Sequence, residues 1–289
     1  MVDLYKGHWI DTAWKKVLSD CADDAIDFFL PELSKDRDKS RELGLIQDEL
    51  PAIDSDSDKD ARIADVCFYV PIKTGEFHKI GCVVEQQHDD DKDFAKRMFK
   101  GFYRLSDHLN DDVTALAIFT GDSKDRDEYK YSCYGVNLLF RYNTYHVRSQ
   151  DIDCLKKDER VFAPVVLAAY MMLSAKGDPQ RRENYAKELL KIMRERGYDN
   201  KKTRAILLFI GHILRLQDDD IDSNLKGEFL MRIIPLSEHQ KQSENDYIEY
   251  IQEAKTIEVA RNFLADGIAP GVVAKNTGLL LENVMTLMN

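Results

Sequence analysis

The chain has 289 residues, 44% hydrophobic and 10% aromatic, and its 41 Lys+Arg against 52 Asp+Glu give a formal net charge of −11. That content excludes a wholly disordered chain, and a pI near 5.2 excludes coating of nucleic acid by bulk positive charge. No apolar run of about 18 residues and no signal-like N-terminus occurs, so a cytoplasmic protein without membrane association is expected.

In chain order, Trp14, Val17, Leu18, Cys21, Ala25, Phe28 and Phe29 repeat at helical spacing. Asp11 offers an N-cap and Pro31 a stop, which predicts one helix of about five turns. β-like runs follow at Arg62–Val70, His78–Gln87, Val113–Thr120 and Tyr131–Val147, the last read as a bent or paired segment. Between the second and third, Phe94, Met98, Phe102, Leu105 and Leu109 form one stripe of a helix over 91–109, with Lys96, Arg97, Lys100 and Arg104 mostly off it. The order helix, strand, strand, helix, strand, strand predicts a small α/β sheet flanked by helices.

Beyond residue 150 the pattern is almost entirely helical, near 161–174, 180–196, 203–216, 225–234, 246–265 and 269–288. Residues 1–150 hold 21 basic and 30 acidic side chains, and residues 151–289 hold 20 and 22. The polar run DIDCLKKDER (151–160) is read as the boundary between an α/β domain, 1–150, and a helical region, 151–289. Residues 176–204, with ten basic and five acidic side chains, are the only locally positive stretch of any length. In the tail, a turn at Gly267 and a helix opened by Pro270 suggest a helix-turn-helix-like unit, read as packing or self-association because it holds so few basic residues.

Five widely spaced cysteines without a C-x-x-C pair fit neither a disulfide framework nor a zinc ribbon. The run DSDSDKD (54–60) imitates the start of an EF-hand, but Lys59 stands where that loop needs Gly, so it reads as a solvated acidic loop.

Alternation puts Gly81, Val83, Glu85 and Gln87 on one face of the second strand, so Glu85 and Gln87 emerge together from the end of an apolar run. Asp65 interrupts the preceding apolar strand, where a carboxylate is costly unless paired or bound to metal. If the two strands are neighbours, Asp65 and Glu85 share a site whose repulsion a divalent cation relieves. On spacing alone, Asp65 also reads as a strand-edge residue paired with Arg62 or Lys79, and Glu85 and Gln87 as a strand running into solvent.

An Asp, about twenty residues, then E-x-Q at a strand end followed by a basic helix resembles the PD-(D/E)XK nuclease superfamily. The segments DTAWKKVLSDCADDAIDFFLPEL, RIADVCFYV, VVEQQHDDDKDFAKRMFKGFYRL and FLADGIAPGVVAKNTGLLLENVMTLM resemble its Rpn/YhgA-type recombination-promoting nucleases and the related nuclease-family transposases. The resemblance implies a mixed sheet flanked by helices, a helical C-terminal region, and hydrolysis of DNA phosphodiesters in recombination, mobile elements or defence. It implies Asp65 and Glu85 as metal ligands, with Glu49 as a further acidic ligand, and Gln87 as the third catalytic motif residue. The cofactor implied is a divalent metal, Mg²⁺ before Mn²⁺ or Ca²⁺, and the partner implied is DNA. Arg97 and Lys100, on the helix after the strand, read equally as facing scissile phosphates or as a solvated helix face, and Arg181 and Arg182 of the basic stretch read as phosphate contacts. A homodimer fits, because one site cuts one strand. Two positions depart from the superfamily pattern: Ala64 precedes Asp65 in place of Pro, and Gln87 replaces Lys, which weakens the charge available to a developing phosphoryl anion. The contrasting expectation is a non-catalytic DNA- or protein-binding or assembly protein on a nuclease-derived fold.

Overall fold

Ile10, Ala13, Trp14, Val17 and Leu18 are all buried along one side of α1 (Gly7–Asp20). The computed structural model describes residues 7–46, 66–73, 79–87, 91–121, 127–216, 221–233, 259–260, 263–264, 267–277, 279 and 281–286. The five-turn helix expected from the sequence is instead two. The chain turns at Cys21 (φ −125°, ψ 42°) into α2 (Ala22–Phe29), and α3 (Pro31–Asp36) follows. Helix α1 also starts four residues before Asp11, so Asp11 is not its N-cap. The break has a packing cause, because the two apolar faces meet different partners: Trp14 packs edge-on against Phe209, whereas Phe29 packs against Phe162 and Tyr145.

The fold is mixed α/β. A five-stranded sheet runs β1 (Gly44–Leu45), β2 (Val66–Pro71), β3 (Lys79–Gln87), β4 (Val113–Phe119), β7 (Asn143–His146) in spatial order. Strands β1, β2 and β3 are antiparallel, and β3, β4 and β7 are parallel. Helix α4 (Phe94–Leu109) is the crossover that the parallel β3–β4 pair requires. Its stripe Phe94, Met98 and Leu105 is buried with Cys67, Ala115, Ala117 and Phe119 of the sheet. Contact is close at Gly81, where a Cβ would lie 2.7 Å from a Leu109 methyl, so a larger residue here would displace that side chain. The opposite sheet face, with Val66, Phe68, Val70, Val84, Leu116 and Ile118, is also buried. A sheet covered on both faces reads as near-continuous apolar runs, which is why β2 and β4 look as they do in the sequence.

The run expected over 131–147 is a hairpin followed by a separate strand. Strands β5 (Glu128–Cys133) and β6 (Val136–Arg141) pair antiparallel across Tyr134–Gly135, then β7 joins the main sheet.

The polar segment 151–160, expected as a boundary, contains α5 (Ile152–Lys157), capped by Asp151, which accepts from the Asp153 and Cys154 amides. Helices α6 (Phe162–Ala175), α7 (Pro179–Arg196) and α8 (Asn200–Ile213) follow, the last two N-capped by Asp178 and Asp199. Helix α6 is buried nearly all round and lies at the centre of this region. Packing continues across residue 150 through Phe29–Phe162, Trp14–Phe209 and the Lys202–Asp24 ion pair. The compact units run Met1–Phe229 and Leu230–Asn289, dividing within α9 (Ser223–Ile233). In the second unit, helical residues at 259–260 and 263–264 are followed by a turn at Gly267 (φ +80°), α10 (Pro270–Thr277) and α11 (Leu281–Thr286). Ala260, Val273 and Val284 form its small buried cluster. Among the described residues, no helix is long and apolar enough to cross a membrane.

Cys21 is 3% exposed, and burial, reinforced by Asp24 and Asp20, pushes its thiol up to about 12. Alkylation at pH 8 followed by peptide mass spectrometry is expected to label Cys133 and Cys154, which are exposed, and to spare Cys21 until the protein unfolds. The folded-state value lies above the ordinary 9.0, so this contribution to stability is complete below pH 9 and is lost as pH rises above it. The slope is about 1.4 kcal/mol per pH unit. Urea titrations of native protein and Cys21→Ala between pH 8 and 11 read it as a shrinking difference between the two.

Candidate functional site

The C-terminal ends of the parallel strands β3, β4 and β7 lie side by side, with Gln87, Phe119 and His146 in one register row. In open α/β sheets this edge is where ligands bind. Thr120, fully buried, closes the row by donating its amide to the Gln87 carbonyl at 2.9 Å. The His146 ring stacks on Phe119 at 4.7 Å between centroids.

The Gln87 side chain meets α4. Arg97 Nη2 donates to Gln87 Oε1 at 3.1 Å, and the same guanidinium pairs with Asp91 and lies 5.4 Å from the centroid of the Phe94 ring. Asp91 also accepts the Asp93 amide at 2.8 Å, which fixes the loop entering α4. Arg97 and Asp91 keep about a third of their side-chain surface exposed, so their pairing adds under about 1 kcal/mol to stability. Its consequence is geometric: a planar guanidinium, paired with Asp91, stands beside the amide of Gln87 and holds its Oε1.

Strands β2 and β3 are antiparallel neighbours, as a shared site requires. Their ladder places Val66 opposite Val84, one step from positions 65 and 85. Asp65 and Glu49 lie outside the described residues, as does the acidic run 54–60. Glu85 is within β3, at register opposite Ala117, a small and fully buried residue. Among the described residues, no group of three or more His, Cys, Asp or Glu could hold a metal ion. The acidic ligands expected from the sequence are not among the side chains so described.

The other expected phosphate contacts separate. Lys100 lies one turn beyond Arg97 on α4. Arg181 is exposed and pairs with Asp178 at 3.4 Å. Arg182 is only 7% exposed and directs Nη1 at the Leu214 and Arg215 carbonyls, 3.5 and 3.4 Å away. Its charge serves the C-terminal end of α8, a role that spacing along α7 does not reveal. Much of the positive stretch 176–204 is likewise matched locally, by Lys187–Glu183, Lys191–Glu195, Arg194–Glu228 and Lys202–Asp24.

Sequence reasoning missed two residues, Asp91 and His146. Asp91 sits in an acidic run that reads as solvated charge, and His146 in a run whose strand register only the fold supplies. No protein-family model, curated protein or solved structure matches the chain.

Proposed function

We propose that the protein is a metal-dependent DNA endonuclease whose site lies at the C-terminal end of β3. The observation that carries this reading is the antiparallel β2–β3 pairing, whose register includes Val66 opposite Val84, beside the strand end where Gln87 meets Arg97. Asp65 and Glu85, with Glu49, are the carboxylates assigned to hold the cation; hard oxygen donors of this kind suit Mg²⁺, and also Mn²⁺ or Ca²⁺. A bound divalent cation supplies charge against the scissile phosphoryl group. Gln87, with its Oε1 engaged by Arg97, presents its amide to orient the attacking water. Arg97 holds that amide in place and offers a guanidinium to a phosphate oxygen. Lys100 and Arg181 are assigned to flanking phosphates.

Plasmid cleavage in Mg²⁺, comparing native protein with Asp65→Ala and Glu85→Gln, tests this directly. The expected result is nicking by native protein alone. Equal cleavage by all three would identify a contaminant. No cleavage by any would favour the second reading, a DNA- or protein-binding or assembly protein on a nuclease-derived fold.

A protein with a net charge of −11 also meets duplex DNA through few phosphate contacts. Binding is therefore expected to be weak in EDTA, to strengthen with divalent cation, and to fall with a log–log salt slope of about −0.9 for each phosphate neutralised. Tight binding in EDTA at high salt would contradict the assignment.

A further inference from the structure

Four large apolar or aromatic side chains with at least 46% exposure belong to one surface of the first unit: Tyr103, Tyr131, Tyr134 and Val136. Three belong to the β5–β6 hairpin and one to α4, on which the hairpin packs. The strand register explains the patch. Tyr129 faces Phe140, Tyr131 faces Leu138 and Cys133 faces Val136, so one face of the hairpin carries no charged side chain. On the other face, which also carries Leu139, Glu128 pairs with both Lys130 and Arg141.

The inner end of the apolar face packs on α4 and the outer end projects. Phe99 stacks on Tyr129 (5.5 Å, 25°) and on Tyr103 (6.4 Å, 26°), forming a short column of nearly parallel rings at the surface. Lys96, Phe99, Lys100 and Tyr103 recur at i, i+3, i+4 and i+7, so two lysines share the helix face that bears this column. At the tip, Tyr134 and Gly135 have φ of +41° and +91°, as a two-residue primed turn requires. Asn or Asp normally occupies the first of those positions. A tyrosine there is sterically disfavoured, and its ring, 105% exposed, packs against nothing that would compensate. A costly residue held in the open points to a ligand, and aromatic rings flanked by lysines match the flat bases and charged phosphates of an unpaired strand.

We infer that the aromatic face of β5–β6, continued by Phe99 and Tyr103 of α4, is a stacking platform for unpaired nucleotides, with Lys96 and Lys100 neutralising their phosphates. This rests on the reading that the protein acts on DNA, and it adds a preference for substrates with single-stranded or unstacked bases. Stacking needs no cation, so the platform can be tested apart from cleavage.

The measurement is fluorescence anisotropy with full-length protein in EDTA, using a labelled single strand of about 16 nucleotides and the same sequence as a blunt duplex. Native protein is expected to prefer the single strand. Tyr134→Asn combined with Tyr131→Ala should weaken that binding by about ten-fold or more, leaving the duplex affinity unchanged. Tyr134→Phe should retain it, because stacking does not use the hydroxyl. Tyr134→Asn alone should raise Tm while weakening binding, since Asn suits the turn better than Tyr; a folding defect would give the opposite sign. Lys96→Ala with Lys100→Ala should flatten the single-strand salt slope by about 1.4. Equal single-strand affinity in native protein and the double tyrosine variant would overturn the platform. So would a change from dimer to monomer by sedimentation, which would make the patch a contact between copies. Loss of Mg²⁺-dependent cleavage with retained, tyrosine-dependent single-strand binding would overturn only the nuclease reading.

Discussion

Replacing Glu85 by Gln is expected to lower Mg²⁺-dependent plasmid cleavage by at least about a thousand-fold, or about 4 kcal/mol of transition-state stabilisation. The substitution keeps the size of the side chain and removes one negative charge. Two carboxylates assigned to one site, Asp65 and Glu85, repel each other without a cation and cooperate with one. The sign of the stability effect is therefore expected to depend on metal. In EDTA the variant should melt at or above the native Tm, because repulsion has been relieved. In excess Mg²⁺ native protein should gain about 2.7 kcal/mol at a hundred times its Kd, and the variant should gain little. Cleavage and melting thus report separately on chemistry and on binding. A variant as active as native protein, or as strongly stabilised by Mg²⁺, would remove Glu85 from the site.

Phe162→Ala is expected to cost about 3–5 kcal/mol, against a typical folding free energy of about 5–15 kcal/mol. Phe162 is fully buried at the start of α6 and packs on Phe29 (5.2 Å) and Phe28 (6.3 Å), which in turn pack on Tyr145 of β7 (4.8 and 5.7 Å). One ring therefore joins the N-terminal helices and the last strand of the sheet to the helical region. Arg160 lies over Phe28 at 4.4 Å and covers the cluster from outside. Removing the ring leaves a cavity shared by three elements, none of which can close it without moving the other two. Urea denaturation followed by both circular dichroism and tryptophan fluorescence should show one transition, shifted to lower midpoint with both probes together. Two separated transitions, with the sheet unaffected, would mean that residues 151–216 fold independently of the α/β part.

How legible the molecule was differs by residue. The stripe Phe94, Met98, Leu105 predicted α4 and its buried face because apolar spacing is a local property of the chain. The alternation at Gly81 and Gln87 likewise gave their common side, and the structure turns both toward α4. The continuous helix over the first turns failed at Cys21, since Trp14 and Phe29 both fit one helical pattern even though they pack against different elements. Arg182 and Arg181 are neighbours of the same type in one basic run, yet one is buried against carbonyls and the other is exposed.

By itself the sequence determined the positions of α4, α6, α7 and α8 and of the main strands β2, β3 and β4, which face of α4 is apolar, the mixed α/β class, and the spacing of an acidic residue and E-x-Q that motivates the proposed chemistry. Only the tertiary structure decided that β2 and β3 are antiparallel neighbours while β3 and β4 are parallel. It alone placed Arg97, paired with Asp91, against Gln87, carried packing across residue 150, and seated the tyrosine hairpin on α4. The reason is physical. Periodicity and capping arise from interactions within a few residues, which the chain writes locally. Strand order, the partner of a guanidinium and the exposure of a ring depend on groups distant in sequence that share a surface only after folding.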